Sequence, residues 1–190
     1  RVSAPDDPQR YFTDAAENSV IAVSITPRAG GEPVLCTNGC VLFEGDTAGL
    51  SISVGPVPAV EGLSITEATT TLAAKGLLVA GTAAEDFSET VEEGRVIGIQ
   101  PKEDGSSWRP DDTVTLIVSQ GPPLFEVPNL VGKTLAQARK AATDAGFTFE
   151  YDDRWDSFPD PFTRVESQNP GAGQMRVKGT EISVRIAAAL

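Results

Sequence analysis

The chain has no histidine at all, and only two cysteines, two tryptophans and one methionine among its 190 residues. Without histidine the commonest general base is missing. Structural zinc takes four ligands, so two cysteines and no histidine give no metal site. No G-x-S-x-G nucleophile elbow occurs, and Asp152-Asp153 lies in a polar segment, where paired acids read as solvated surface. No catalytic residue, metal or cofactor is therefore assigned. No run of about 18 apolar residues is present, and the chain opens without a signal-like segment. Any membrane anchor is expected outside this chain. Basic residues are also few, 15 against 27 acidic, for a net charge of −12. Nucleic acid, which calls for a basic footprint, is excluded as a partner.

The charge is unevenly spread. Residues 1–56 carry three basic and seven acidic side chains, 57–126 four and twelve, and 127–190 eight and eight. The last part is neutral and holds more than half of all Lys and Arg. The acidic excess reads as solvated surface; if one unit meets an anionic partner, it is this last one.

The strongest pattern is a repeat. Val127–Phe147 reads VPNLVGKTLAQARKAATDAGF, and Val57–Leu77 reads VPAVEGLSITEATTTLAAKGL, aligned without a gap at an offset of 70 residues. Val-Pro starts each as an extended entry. Gly62 and Gly132 permit a turn. Ser64 with Glu67, and Thr134 with Gln137, form capping boxes. Leu135, Ala138, Ala142 and Ala145 make one apolar helical stripe. Gly76 and Gly146 suit a left-handed helix end, over which Leu77 and Phe147 fold back. Fixed-period self-similarity of this kind marks a repeat architecture.

Each helix is followed by strand signals. In the middle unit these are Arg95–Gln100, Pro101, and alternating Val114, Leu116 and Val118. In the last unit they are Arg164–Gln168, a Pro170–Gly173 turn, and Ile182, Val184 and Ile186. Residues 1–56 carry only this back half: Val20–Thr26, a Pro27–Gly30 turn, and Leu50, Ile52 and Val54. Period-two alternation marks a sheet with one buried face. The fold class is thus α+β: tandem small repeats, each a helix packed on a small β-sheet, arranged as an extended rod. The units are 1–56 (partial, helix missing), 57–124 and 125–190. The missing helix is expected just upstream of Arg1, with further repeats before it. The proline-bearing junctions Gly55–Pro58 and Gly121–Phe125 read as semi-rigid spacers, with Leu124 and Phe125 tucked against a neighbouring unit.

Glu150–Phe162 is the densest candidate for binding. Tyr151, Trp155, Phe158 and Phe162 occur there with Arg154, and Arg164 follows. Aromatic faces stack on sugar rings, arginine pairs bidentately with carboxylates, and Asp152 or Asp156 would meet amines. Tyr151, Arg154, Trp155 and Arg164 are the ligand-binding candidates. An alternative stands beside this: Trp155, Phe158 and Phe162 pack the long loop down or meet a neighbour. Trp108 is read as a cap over its hairpin, or with Arg109 as a second, weaker site. The helix, being shared by both units, is read as scaffold and not as a source of specificity.

The ordered set of V-P-x-x-x-G, capped helix, G-[FL], strand, Pro-Gly turn and closing strand resembles the PASTA domain. The resemblance covers 57–187 and a back half in 1–56, with the Cys36–Cys40 segment as an insertion. It implies an extracellular sensor module of a bacterial transmembrane serine/threonine kinase, non-catalytic in itself, recognising peptidoglycan fragments (muropeptides) or β-lactam-like ligands. It also admits cell-wall enzymes as partners and a ligand-induced dimer. Competing implications are a spacer or cell-wall localisation rod, and a C-terminal appendage of a penicillin-binding protein. Three units in a row favour the kinase.

Cys36 and Cys40 flank Thr-Asn-Gly, a hairpin-tip composition. They are read as a short structural disulfide, with free thiols as the alternative; a redox C-x-x-C spacing is absent. A disulfide fits an oxidising compartment. Thiol titration under denaturing, non-reducing conditions is expected to find no free thiol. Two reactive thiols would remove this argument for an outside location.

Overall fold

The computed structural model describes residues 8–36 and 39–189. The chain divides into two compact units, Arg1–Gln120 and Gly121–Leu190. Both are α+β, with one short α-helix each among the described residues, and small sheets.

In the second unit, β10 is Leu124–Glu126, α2 is Leu135–Asp144, β11 is Thr148–Glu150, β12 is Thr163–Asn169, β13 is Met175–Val177 and β14 is Glu181–Ala188. Strand β14 is central, parallel to β11 and antiparallel to β12. Helix α2 is only ten residues long, too short to persist alone in water. Its ends are therefore fixed locally. The Thr134 hydroxyl accepts from Gln137 N–H while the Gln137 side chain accepts from Thr134 N–H, completing the capping box. At the other end Gly146 has φ +83°, and Phe147 N–H donates to Ala142 O at 3.0 Å, which satisfies a carbonyl that the helix itself leaves open. Ala138 and Ala142 are fully buried against Val127, Leu130, Phe147, Val165 and Ile182. Small residues on this stripe let the helix approach the sheet closely.

The first unit repeats this plan. Its strands are β1 Gln9–Tyr11, β2 Val20–Thr26, β3 Val34–Leu35, β4 Thr47–Ser53, β5 Leu78–Val79, β6 Ala84–Asp86, β7 Val96–Ile99, β8 Thr113–Val114 and β9 Leu116–Ser119. Helix α1, Ile65–Ala73, carries a complete Ser64–Glu67 capping box. Its run Thr69–Thr71 has poor helix propensity, since β-branching restricts χ1. Each hydroxyl answers by donating to the carbonyl four residues back, at 2.7–2.9 Å. The buried stripe is Ala68 and Leu72, packed on Val60, Leu77, Val96, Val114 and Leu116.

Residues 8–53 form a separate four-stranded sheet, ordered β1-β4-β2-β3, in which β4 lies between parallel β1 and antiparallel β2. The same register irregularity follows a valine pair in β2, β7 and β12: Val20↔Ile52, Val96↔Val118 and Val165↔Ile186. Strand β1 was not foreseen. Among the described residues, 8–56 contain no helix, and Val20 is 55% exposed where Val96 and Val165 are buried. Strand β3 pairs with β2 next to the Cys36–Cys40 disulfide, whose Cα atoms are 5.7 Å apart, an ordinary span for such a bridge. Thr37 and Asn38 lie outside the described residues.

Two expectations change. Leu124 and Phe125, expected against a neighbouring unit, instead form β10 on β13 of their own unit, with Phe125 against its core and Leu124 exposed. Trp108 does more than cap a hairpin. Its ring packs on the first unit's core, and its carbonyl accepts from Phe12 N–H at 2.7 Å. Replacing Thr134 by alanine removes one half of a capping box on a marginal helix, and a loss of about 1 kcal/mol is expected in urea denaturation of the last repeat.

Candidate functional site

The loop between β11 and β12, which stands in chain order where the middle repeat has β6, is built of two 3₁₀ turns, Asp153–Ser157 and Asp160–Phe162. The Asp152 carboxylate caps the first turn by accepting from Arg154 N–H. The second turn is tied to the start of α2. Asp160 Oδ1 accepts from Ala136 N–H at 2.7 Å, and the fully buried Thr163 hydroxyl accepts from Leu135 N–H at 3.0 Å while donating to Asp160 O. Two otherwise open donors of the helix N-terminus thus hold the loop in place.

Holding the loop there opens a groove of about 460 Å³ between it and the outer face of α2. The helix contributes Arg139, Lys140, Thr143 and Asp144; the loop contributes Trp155, Asp156, Phe158 and Asp160. Trp155 and Phe158 form a tilted pair with ring centres 5.0 Å apart, and Phe158 stays half exposed. Arg139 joins the two walls: its guanidinium donates to the Tyr151 hydroxyl, lies 5.0 Å over that ring and is 3.8 Å from Asp156. Tyr151 donates to Asp156 at 2.6 Å, and this bond raises the phenol's pKa above its usual value. Lys140 pairs with Asp144 at 2.7 Å. Two cations and three carboxylates therefore face one apolar floor.

Of the four residues singled out from sequence, Trp155 lines the groove and Tyr151 braces it from behind. Arg154 turns outward to Asp152 at 2.9 Å, and Arg164 donates to the Pro161 and Thr163 carbonyls. Neither lines the groove. Phe162 is exposed and also stands outside the lining. The residues missed are those of α2, because a shared helix was read as scaffold alone. The signal was present: at the 70-residue offset Thr69, Thr70, Ala73 and Ala74 become Arg139, Lys140, Thr143 and Asp144. In the first unit, Arg109 stacks on Tyr11 at 4.6 Å and donates to its hydroxyl, and Lys102 stands 4.8 Å from the centre of the Trp108 ring and 2.6 Å from Asp112. These side chains are engaged in holding 8–56 to the middle repeat and its turn together.

The Ala136 N–H, with the Thr134 hydroxyl behind it, holds the Asp160 carboxyl below the usual aspartate value. A lowered folded value means that the stabilisation is complete at neutral pH and is lost as pH falls from about 4 through the folded value. Asp160→Asn is expected to flatten the acid limb of the last repeat's stability-versus-pH curve below about pH 4. Parallel curves for the two proteins would count against the tether.

The PASTA domain family profile matches residues 55–120 and 125–188. The probable serine/threonine-protein kinase PknB of Corynebacterium glutamicum is 37% identical over 135 residues, covering 70% of this chain and 20% of that protein. The serine/threonine-protein kinase PrkC of Bacillus subtilis is 32% identical over 144 residues, covering 70% and 22%. The chain thus spans about a fifth of the length of the curated relatives it matches. Among solved structures, the three-PASTA-domain region of a Ser/Thr kinase from Staphylococcus aureus aligns with a TM-score of 0.47 at 21% identity, covering 96% of this chain and 86% of that one. With the capped helix, the strand order and the profile match in agreement over both repeats, this chain belongs to the PASTA domain family.

Proposed function

We propose that the chain is the extracellular, non-catalytic binding region of a bacterial serine/threonine kinase, and that the groove of the last repeat takes peptidoglycan fragments or ligands of β-lactam type. The kinase relatives support the parent. Among the described residues no helix is long and apolar enough to cross a membrane. We propose also that residues 1–56 are the back half of a further repeat, a reading supported by the shared strand order and by the uncovered Val20.

The observation that carries the ligand reading is the groove's mixed lining. A muropeptide presents sugar faces, lactyl and stem carboxylates, and free amines. Trp155 and Phe158 suit the sugars, Arg139 and Lys140 the carboxylates, and Asp144 and Asp156 the amines. The resident ion pairs do not bar exchange. Both are half exposed or more, and such pairs contribute only about 0–1 kcal/mol. Charge-assisted bonds to a ligand replace them with little loss.

NMR titration of the chain with defined muropeptides, up to about millimolar where weak binding of roughly 4 kcal/mol is still read, is expected to shift resonances along α2 and Trp155–Asp160. Trp155→Ala and Arg139→Ala are expected to weaken binding about tenfold, roughly 1.4 kcal/mol, whereas Arg154→Ala leaves it unchanged. Absence of clustered shifts in the last repeat would favour the spacer or cell-wall localisation role. A dependence on Arg154 and not on Arg139 would move the site to the loop's outer side.

A further inference from the structure

The turn before the last strand of each helix-bearing repeat holds the end of another strand. Asp111 N–H donates to Gly76 O at 2.7 Å, and Gly179 N–H donates to Gly146 O at 2.8 Å, so Asp111 and Gly179 occupy the same place. Both have positive φ, +68° and +78°. Three residues earlier stand Trp108 and Arg176. In the middle repeat Trp108 O accepts from Phe12 N–H, while Arg109 stacks on Tyr11. In the last repeat Arg176 pairs with Phe125 in β10–β13, and Val177 pairs with Leu124. Phe12 is 4% exposed within the middle repeat's core, and Phe125 packs on the last repeat's core beneath Lys178 at 4.5 Å. One socket is therefore filled by two unrelated segments. Tyr11–Phe12 reaches it from the preceding sheet. Leu124–Phe125 comes from the repeat's own linker, which is four residues longer than Gly55–Pro58.

We propose that the added residues 123–126 close the last repeat's socket from within and make that repeat an autonomous folding unit, whereas the middle repeat depends on Phe12 supplied by the segment before it. The division of the chain between Gln120 and Gly121, and not between residues 56 and 57, accords with this. So does Phe87. Tyr11 pairs with Ser53 as Asp86 pairs with Ser119, and Val54 and Gln120 N–H donate to the Tyr11 and Asp86 carbonyls. Phe87 thus holds the position of Phe12 in the next repeat, yet it is 55% exposed. A socket already closed by Phe125 has no use for it. The inference is independent of what the groove binds.

The two tryptophans report separately, Trp108 on the first unit and Trp155 on the second. Urea unfolding of the whole chain is followed in a Trp155→Phe background for the first and a Trp108→Phe background for the second. Phe12→Ala is expected to lower the folding equilibrium constant read by Trp108 by roughly a hundredfold or more, given the cost of deleting a buried ring, with the Trp155 transition unmoved. Phe125→Ala is expected to lower the constant read by Trp155 by roughly tenfold or more, with Trp108 unmoved. Phe12→Leu and Phe125→Leu, which keep apolar volume, give smaller shifts in the same transitions and serve where an alanine variant does not fold. One transition common to both tryptophans, a Trp108 shift on changing Phe125, or an unmoved Trp155 transition in Phe125→Ala would overturn the proposal.

Discussion

A helix of nine or ten residues is not stable by itself in water, and everything in these repeats follows from making one persist. Its ends need caps and its small-residue stripe needs a sheet. Ser64–Glu67 and Thr134–Gln137 provide the first; Ala68–Leu72 and Ala138–Ala142, laid on a central strand between one parallel and one antiparallel neighbour, provide the second. A domain of some 65 residues buries a smaller share of its surface than a large one does. Each core accordingly recruits one more large side chain from outside the helix and its sheet, Phe12 in one case and Phe125 in the other. The segments that precede each repeat are part of its core, and cannot be treated as neutral string.

The same helix, satisfied on its inner face, is chemically free on its outer face. That division explains how one scaffold yields two unlike repeats. The middle helix shows solvent a row of threonines whose hydroxyls are spent on its own backbone. The last helix shows Arg139, Lys140 and Asp144 to a loop that returns to its N-terminus. Capping and the groove meet at that point, because Asp160 both anchors the loop and lines the groove.

Much of the fold was legible in the sequence because caps, turn glycines and Val-Pro entries each answer a local geometric need. Thr134, Gln137 and Gly146 stand where their chemistry predicts, and the strands after each helix follow the alternation of Val114, Leu116 and Val118. The missed elements depend on partners distant in sequence. Strand β1 is three residues long and acquires meaning only beside Ser51–Ser53, and β10 only beside Met175–Val177. For the candidate site, aromatic content points to Trp155, which lines the groove. Nothing local distinguishes an arginine that faces a groove, Arg139, from one that turns to a neighbouring aspartate, Arg154. That depends on how the loop folds back, which Asp160 and Thr163 decide through backbone bonds to α2.

The balance of charge within the groove bears on how quickly a ligand arrives. Long-range steering raises association rates when one sign of charge dominates a cleft. Here Arg139 and Lys140 are each countered by a carboxylate a few ångströms away, and the chain as a whole carries −12. Such a surface does not draw anions from a distance. Its field is dipolar and short in range, falling away well within the roughly 8 Å screening length of physiological salt. A ligand would meet the groove at an ordinary diffusional rate and be sorted after contact, by how long it stays.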